Sequence, residues 1–149
     1  MNNPLFDVSL SFEERTEWLL SQLTADEKCG WISSRLPACE RLGVLPFGLG
    51  AEAAHGVQGR NDQGLISQPD ITTSFPQPIG MSATWDPETT RACGEVTGIE
   101  ARVVSKRHGS RGLSRWAPTV DLERDPRWGR NEEGYGEDPV LTGRMAGAY

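Results

Sequence analysis

Trp116-Ala-Pro-Thr-Val-Asp-Leu-Glu-Arg-Asp-Pro-Arg-Trp-Gly-Arg-Asn-Glu-Glu-Gly-Tyr-Gly-Glu-Asp-Pro139 is the stretch on which the reading of this chain turns. It sets Asp121, Glu123, Asp125, Glu132, Glu133, Glu137 and Asp138 around Arg124, Arg127 and Arg130, interleaves Trp128 and Tyr135, and carries glycines at 129, 134 and 136. By default so dense a charge run reads as a solvated surface loop. A floppy loop has no use for tryptophans and prolines among its charges. Carbohydrate sites use that mixture, because aromatic faces stack on pyranose rings and arginine-fixed carboxylates accept from hydroxyls. The stretch therefore favours a rigid loop that holds a polyol.

Outward from the loop, regular structure is signalled mainly by caps. Asp138-Pro139 pairs an N-cap with a proline at the first helical position and starts a helix through Val140, Leu141, Met145 and Ala148. Asp86-Pro87 does the same for a helix running to about Arg107, where His108 and Gly109 close it, and Ala92, Val96, Ile99 and Val103 form its apolar stripe. Capping boxes at Ser11 with Glu14 and at Thr24 with Glu27 predict helices over Phe12–Gln22 and on to about Ser33. Arg41–Gly50 reads as a turn and a buried strand, Phe75–Ser82 as a short strand start, Gly59–Thr73 as an extended loop, and Leu113–Pro118 as a further strand. Helix and strand thus alternate from Leu42 onward, the pattern of an α/β fold with parallel strands.

Composition narrows the function classes. A chain of 149 residues suits one domain, and 36% apolar content with 17 glycines is ordinary for a globular protein. The formal net charge of −6 offers no basic face for nucleic acid. No run is apolar enough to span a bilayer, and Met1-Asn-Asn-Pro-Leu-Phe-Asp lacks the basic start and apolar core of a secretory signal. Cys29, Cys39 and Cys93 lack metal-ligand spacing and read as reduced, buried thiols, which makes a cytoplasmic location the expectation. His55 and His108 lack spaced partners for zinc, and Gly48-x-Gly50 lacks the rest of a dinucleotide fingerprint, so no metal and no cofactor are expected.

Arg124-Asp-Pro-Arg-Trp-Gly-Arg130 followed by Glu133-Gly-Tyr-Gly-Glu-Asp-Pro139 resembles the signature of the family 3 glycoside hydrolases. The likeness extends to Leu23-Thr-Ala-Asp-Glu-Lys28, Arg41-Leu-Gly-Val44, Glu52-Ala-Ala-His-Gly56 and Ser74-Phe-Pro-Gln-Pro-Ile-Gly80 with Thr84-Trp-Asp-Pro-Glu88. It implies the N-terminal portion of a (β/α)8 TIM-like barrel, incomplete in this chain because a whole one needs on the order of 250 residues. Residues 1–34 would be N-terminal helices and 41–149 the first β/α units. The implied activity is that of a retaining exo-β-glycosidase of the β-glucosidase or β-xylosidase type, acting on β-linked oligosaccharides or glycosides.

The same resemblance assigns roles residue by residue. Glu52, three before the His55-Gly56 pair, accepts from glycone hydroxyls, and Arg130 donates to them through its planar fork. From the residues themselves, Glu133 reads as bracing Arg130 by ion pairing, with His55 and Trp128 behind, and Arg124, Asp125 and Arg127 as a structural lattice holding the loop. Retaining glycosidases also need a nucleophile and an acid/base, and neither has a matching position here, so the chain alone is expected to be inactive. A Glu at position 52, where many relatives have Asp, resembles the xylosidase and arabinosidase branch. The rival expectation is a non-catalytic sugar-binding or interaction fragment that self-associates or pairs with the missing remainder of the barrel.

Overall fold

In the computed structural model, which describes residues 3–33, 35–48, 51–58, 70–107 and 113–149, the first two helices start where side chains satisfy their open N–H groups. Helix α1 (Phe12–Gln22) begins at Ser11, whose hydroxyl accepts from the Glu14 N–H at 3.2 Å while the Glu14 carboxylate accepts from the Ser11 N–H at 2.8 Å. Thr24 and Glu27 repeat the device for α2 (Ala25–Trp31), at the same two distances. Each box supplies acceptors for N–H groups that a helix start otherwise leaves open.

The chain divides into two units, Met1–Leu49 and Gly50–Tyr149. In the first, Leu23, Cys39 and Leu42 are buried and Trp18, Leu19, Trp31 and Val44 pack against them. A short antiparallel pair, β1 (Arg35–Leu36) and β2 (Phe47–Gly48), sets Arg35 opposite Gly48 and Leu36 opposite Phe47. Arg41 ties the unit together, with Nε donating to Glu27 at 2.9 Å and Nη2 to the Gln22 carbonyl at 2.7 Å.

Two expectations fail, one within this unit and one across both. The apolar run Arg41–Gly50 is not a continuous buried strand, because Glu40–Leu42 form a 3-10 turn and Cys39 and Val44 bridge antiparallel across it. The chain folds back on itself before it can extend. The cysteines are free but not uniformly buried, since Cys39 is buried, Cys93 half-buried and Cys29 exposed.

The second unit is organised by helices. Helix α3 (Pro78–Ser82) replaces the strand expected there: Pro78 fixes the first helical position and holds Gln77 before it in an extended conformation, as an N-cap needs. Asp86 starts α4 (Pro87–Arg107), its Oδ1 accepting from the N–H groups of Glu88 and Thr89 at 3.0 and 3.1 Å. Asp138 starts α5 (Pro139–Ala148) by accepting from the Leu141 N–H at 2.7 Å. The expected helix end at His108 and Gly109 lies outside the described residues, as does most of the Gly59–Thr73 loop.

The core of this unit joins Met81 of α3, Tyr135 and Met145 of α5, with Cys93, Leu141, Ala146 and Tyr149 around them. Helix α4 presents small residues to it. Thr90, Thr97 and Ala101 are buried, and a Cβ on Gly94 would lie 2.1 Å from the Tyr149 carbonyl oxygen, so the two backbones approach as closely as glycine permits. The apolar stripe consequently faces outward, with Val96, Ile99 and Val103 37%, 63% and 49% exposed. Leu113–Pro118 does not form the full strand expected. Among the described residues its ladder contribution is one parallel bridge, Arg115 to Ala51.

Two outcomes follow from these contacts. The Arg41 hydrogen bond, first among several causes, holds Glu27 down from an ordinary 4.5 to about 2. A lowered folded pKa stabilises above the unfolded value and is lost as pH falls toward the folded one. Glu27→Gln should therefore flatten the loss of thermal stability between pH 4.5 and about 2, as read by circular dichroism. Tyr135 is wholly buried, and its hydroxyl has no partner among the described residues. Removing an unsatisfied buried hydroxyl relieves a penalty of about 1–3 kcal/mol, so Tyr135→Phe should raise the denaturant midpoint.

Candidate functional site

The loop quoted at the outset is built from a tight turn and a 3-10 turn in succession. Asp125 accepts from the Arg127 N–H at 2.9 Å, and its two oxygens take the Arg127 Nε and Nη2 at 3.0 and 2.7 Å. The Trp128 N–H closes onto the Asp125 carbonyl at 3.0 Å. Asn131 Nδ2 donates to the carbonyls of Asp125 and Trp128 at 3.1 and 2.8 Å. Asp125 and Arg127 thus serve the loop's shape, as expected, and Trp128 is half-buried within the turn.

The 3-10 turn Asn131–Glu133 follows, with Arg130 at its N-cap. Arg130 Nε donates to Glu133 Oε2 at 2.9 Å, and Nη2 pairs with the same oxygen. This hydrogen bond pushes Arg130 above its ordinary pKa, helped by the charges of Glu133, Glu52 and Asp121. The same bond pulls Glu133 down, helped by the charges of Arg130 and His55. Both partners keep accessible side chains, at 59% for Arg130 and 28% for Glu133.

Glu52 arrives from the other end of the unit. The Ala51 N–H donates to the Ser114 carbonyl at 3.3 Å and the Trp116 N–H to the Ala51 carbonyl at 2.9 Å, which fixes the backbone just before Glu52. His55 is held by the segment before α3, with the Phe75 N–H on its carbonyl at 2.8 Å and its Nδ1 3.2 Å from the Phe75 carbonyl. Gly56 has φ 109, and a Cβ there would lie 2.1 Å from the Thr73 carbonyl oxygen, so no other residue fits. His55 through Gln58 and Thr72 through Ser74 line a cavity of about 350 Å³, which has neither Glu52 nor Arg130 in its lining.

Glu52, His55, Arg130 and Glu133, read from separate stretches of sequence, therefore share one electrostatic neighbourhood. Asp121 joins them, although in the sequence it is one acid among seven. Tyr135 does not offer a stacking face as its place in the loop suggested; it is the core residue beneath the loop. Glu123 was also passed over. Burial raises its pKa while the adjacent Gly134 N–H opposes the shift, and its Oε1 is sealed without a partner. No signal in the sequence marks it, because Asp121, Glu123 and Asp125 at steps of two would share one face of an extended segment.

Residues 40–149 match the model of the glycosyl hydrolase family 3 N terminal domain. The chain belongs to glycosyl hydrolase family 3. It is 37% identical over 147 residues to the β-xylosidase/α-L-arabinofuranosidase 1 of Medicago sativa subsp. varia, covering 96% of this chain and 18% of that protein. It is 39% identical over 144 residues to the probable β-D-xylosidase 7 of Arabidopsis thaliana, covering 94% of this chain and again 18% of the relative. Among solved structures, a GH3 exo-β-xylosidase, XlnD, in complex with a xylobiose aziridine activity-based probe, superposes with a TM-score of 0.80 at 30% identity, over 98% of this chain and 19% of that one. β-Glucosidase 3B from Thermotoga neapolitana, in complex with α-D-glucose, gives 0.67 at 26% identity, over 90% of this chain and 20% of that one. The chain thus spans about a fifth of the length of the relatives it matches, and its fold is of the α/β class they share. No helix among the described residues is long and apolar enough to cross a membrane.

The loop's packing can be tested at Gly134, where a Cβ would meet Glu123 Oε1 at 2.6 Å and the Asp121 carbonyl at 3.1 Å. Gly134→Ala should destabilise the chain by about 1–3 kcal/mol, the usual cost of overpacking. Glu123→Ala added to Gly134→Ala should recover part of that loss, a coupling that a double-mutant cycle of denaturant midpoints measures directly.

Proposed function

We propose that this chain is the N-terminal part of the (β/α)8 catalytic barrel of a retaining exo-β-glycosidase, and that Glu52 and Arg130 hold the terminal sugar. In this reading residues 1–34 are preceding helices and 41–149 the first β/α units. The nucleophile and the acid/base belong to barrel segments outside the chain, and the chain alone turns over no glycoside. The outward stripe of Val96, Ile99 and Val103 is then the surface that meets those segments.

What supports the reading is that Glu133 is bonded to Arg130 while the charge of Glu52, from a distant stretch of sequence, acts on the same guanidinium. Sugars are neutral, so recognition rests on charge-assisted hydrogen bonds to hydroxyls. Arg130 directs Nε and Nη2 at Glu133 and keeps Nη1 for substrate. Glu52 accepts from adjacent hydroxyls, His55 supports Glu133, and Trp128 stiffens the turn before Arg130. The substrate class is a terminal β-linked xylose or glucose. The xylosidase names of the close relatives support xylose, and Glu52 points the same way. A glutamate fills one methylene more of the pocket than aspartate, which disfavours a sugar with an exocyclic group by about 1–3 kcal/mol.

Titration of the labelled chain with xylose, followed by amide NMR, tests the proposal. Signals next to Glu52 and Arg130 should move saturably, and Arg130→Met or Glu52→Gln should weaken binding about tenfold or more, the loss of one charged hydrogen bond. Shifts that persist unchanged in both variants, or turnover of nitrophenyl β-xyloside by the chain, would overturn it.

A further inference from the structure

The parallel bridge between Ala51 and Arg115 pins the backbone on both sides of Arg115 and so fixes where its side chain leaves the segment. That side chain lines a cavity of about 210 Å³ shared with Gly98 and Ala101 of α4, Leu113, Pro118 and Tyr149. Arg115 is half-buried. Among the described residues its Nε, sealed from solvent, has no acceptor, and its Nη1 reaches no further than the Ser114 carbonyl, at 3.2 Å. Burial pushes its pKa down, and no carboxylate offsets the shift.

The other polar groups around the cavity are already engaged. Tyr149 Oη donates to the Ala53 carbonyl at 2.6 Å and accepts from the Gly56 N–H at 3.2 Å. Thr97 Oγ1 donates to the Cys93 carbonyl at 2.8 Å. Arg102, the second cation of the lining, places Nη1 on the Gly98 carbonyl at 2.8 Å. Among the described residues no Asp or Glu lines this space, in a chain that carries 21 of them. A half-buried guanidinium without an acid is a costly arrangement unless something anionic completes it.

We propose that this cavity binds a small organic carboxylate, its two oxygens forked by Arg115 and its apolar body lying against Ala101, Leu113 and Pro118. Guanidinium and carboxylate match in plane and spacing. Arg102 adds positive potential, and the apolar lining excludes a fully hydrated inorganic ion in favour of an acid with a hydrocarbon part.

Sodium benzoate is the probe, with benzyl alcohol as its neutral counterpart and sodium chloride to match ionic strength. Benzoate should raise the thermal midpoint of the chain in a concentration-dependent way that benzyl alcohol does not reproduce. Arg115→Met should weaken benzoate binding at least about tenfold, while unfolding no earlier than wild type in chloride, because it removes an unpaired charge. If that variant fails to fold, amide NMR of the wild-type chain decides: benzoate must shift Gly98, Ala101 and Leu113 saturably. Equal midpoint shifts from benzoate and benzyl alcohol, or benzoate shifts that leave those three amides in place, would overturn the assignment.

Discussion

Burial of Tyr135 between α3 and α5 fixes the backbone on either side of it, and the charged loop over residues 116–139 takes its shape from there. A wholly buried aromatic side chain contributes about 1.5–3 kcal/mol, enough to hold a loop that has little other apolar content. The neighbouring peptide groups are then held in place by named donors. Ser82 Oγ donates to the Tyr135 carbonyl at 2.5 Å, and the Gly136 carbonyl accepts from the Glu123 N–H and from Thr142 Oγ1, each at 3.2 Å. Helix α3, helix α5 and the extended segment before the loop all converge within two residues. Arg130 and Glu133 lie immediately upstream of that anchorage, so their pairing is set by packing below the loop as well as by their own charges.

Charge in the loop is sorted by role. Asp125 and Arg127 satisfy each other through two near-parallel hydrogen bonds, a closed pair that shapes the turn. Arg130 and Glu133 are paired less completely, since one carboxylate oxygen receives both guanidinium donors. The second oxygen of Glu133 takes no donor from Arg130. Glu52 and Asp121 add negative charge that favours the protonated form of Arg130 further. Glu133 is the member whose pKa is pulled down, chiefly by the Arg130 hydrogen bond.

The starts of α1, α2, α4 and α5 were legible in the sequence to the residue, because they are written in side chains: Ser11 with Glu14, Thr24 with Glu27, and the Asp-Pro pairs at 86 and 138; α3, which has no side-chain cap, reads as a strand. Strands were not. A bridge of one residue pair at Arg115 leaves no period to read, and the turn at Glu40–Leu42 interrupts a run that looks continuous by hydropathy. Helix α4 inverted its pattern for a physical reason. Close approach to the Tyr149 backbone favours Gly94, Thr97 and Ala101 on the inner face, so size and not hydropathy chose the buried side. For the site, the loop's lattice followed from its composition, but the meeting of Glu52 with Arg130 could be expected only from family likeness. Nothing in the spacing of two residues so far apart in sequence encodes it.

That meeting depends on two tyrosines in one core. Tyr135 secures the Arg130 half, as above. Tyr149, packed in the same cluster, reaches with its hydroxyl to the Ala53 carbonyl at 2.6 Å and the Gly56 N–H at 3.2 Å, the peptide groups that flank Ala54 and His55. The segment carrying Glu52 is therefore hung from the end of α5, and the loop carrying Arg130 from its beginning, through Asp138 and Thr142. One helix spaces the two halves. A rigid helix turns the separation of Glu52 and Arg130 into a property of the core, so a change in the packing of Met145 or Met81 reaches both residues without touching either of them.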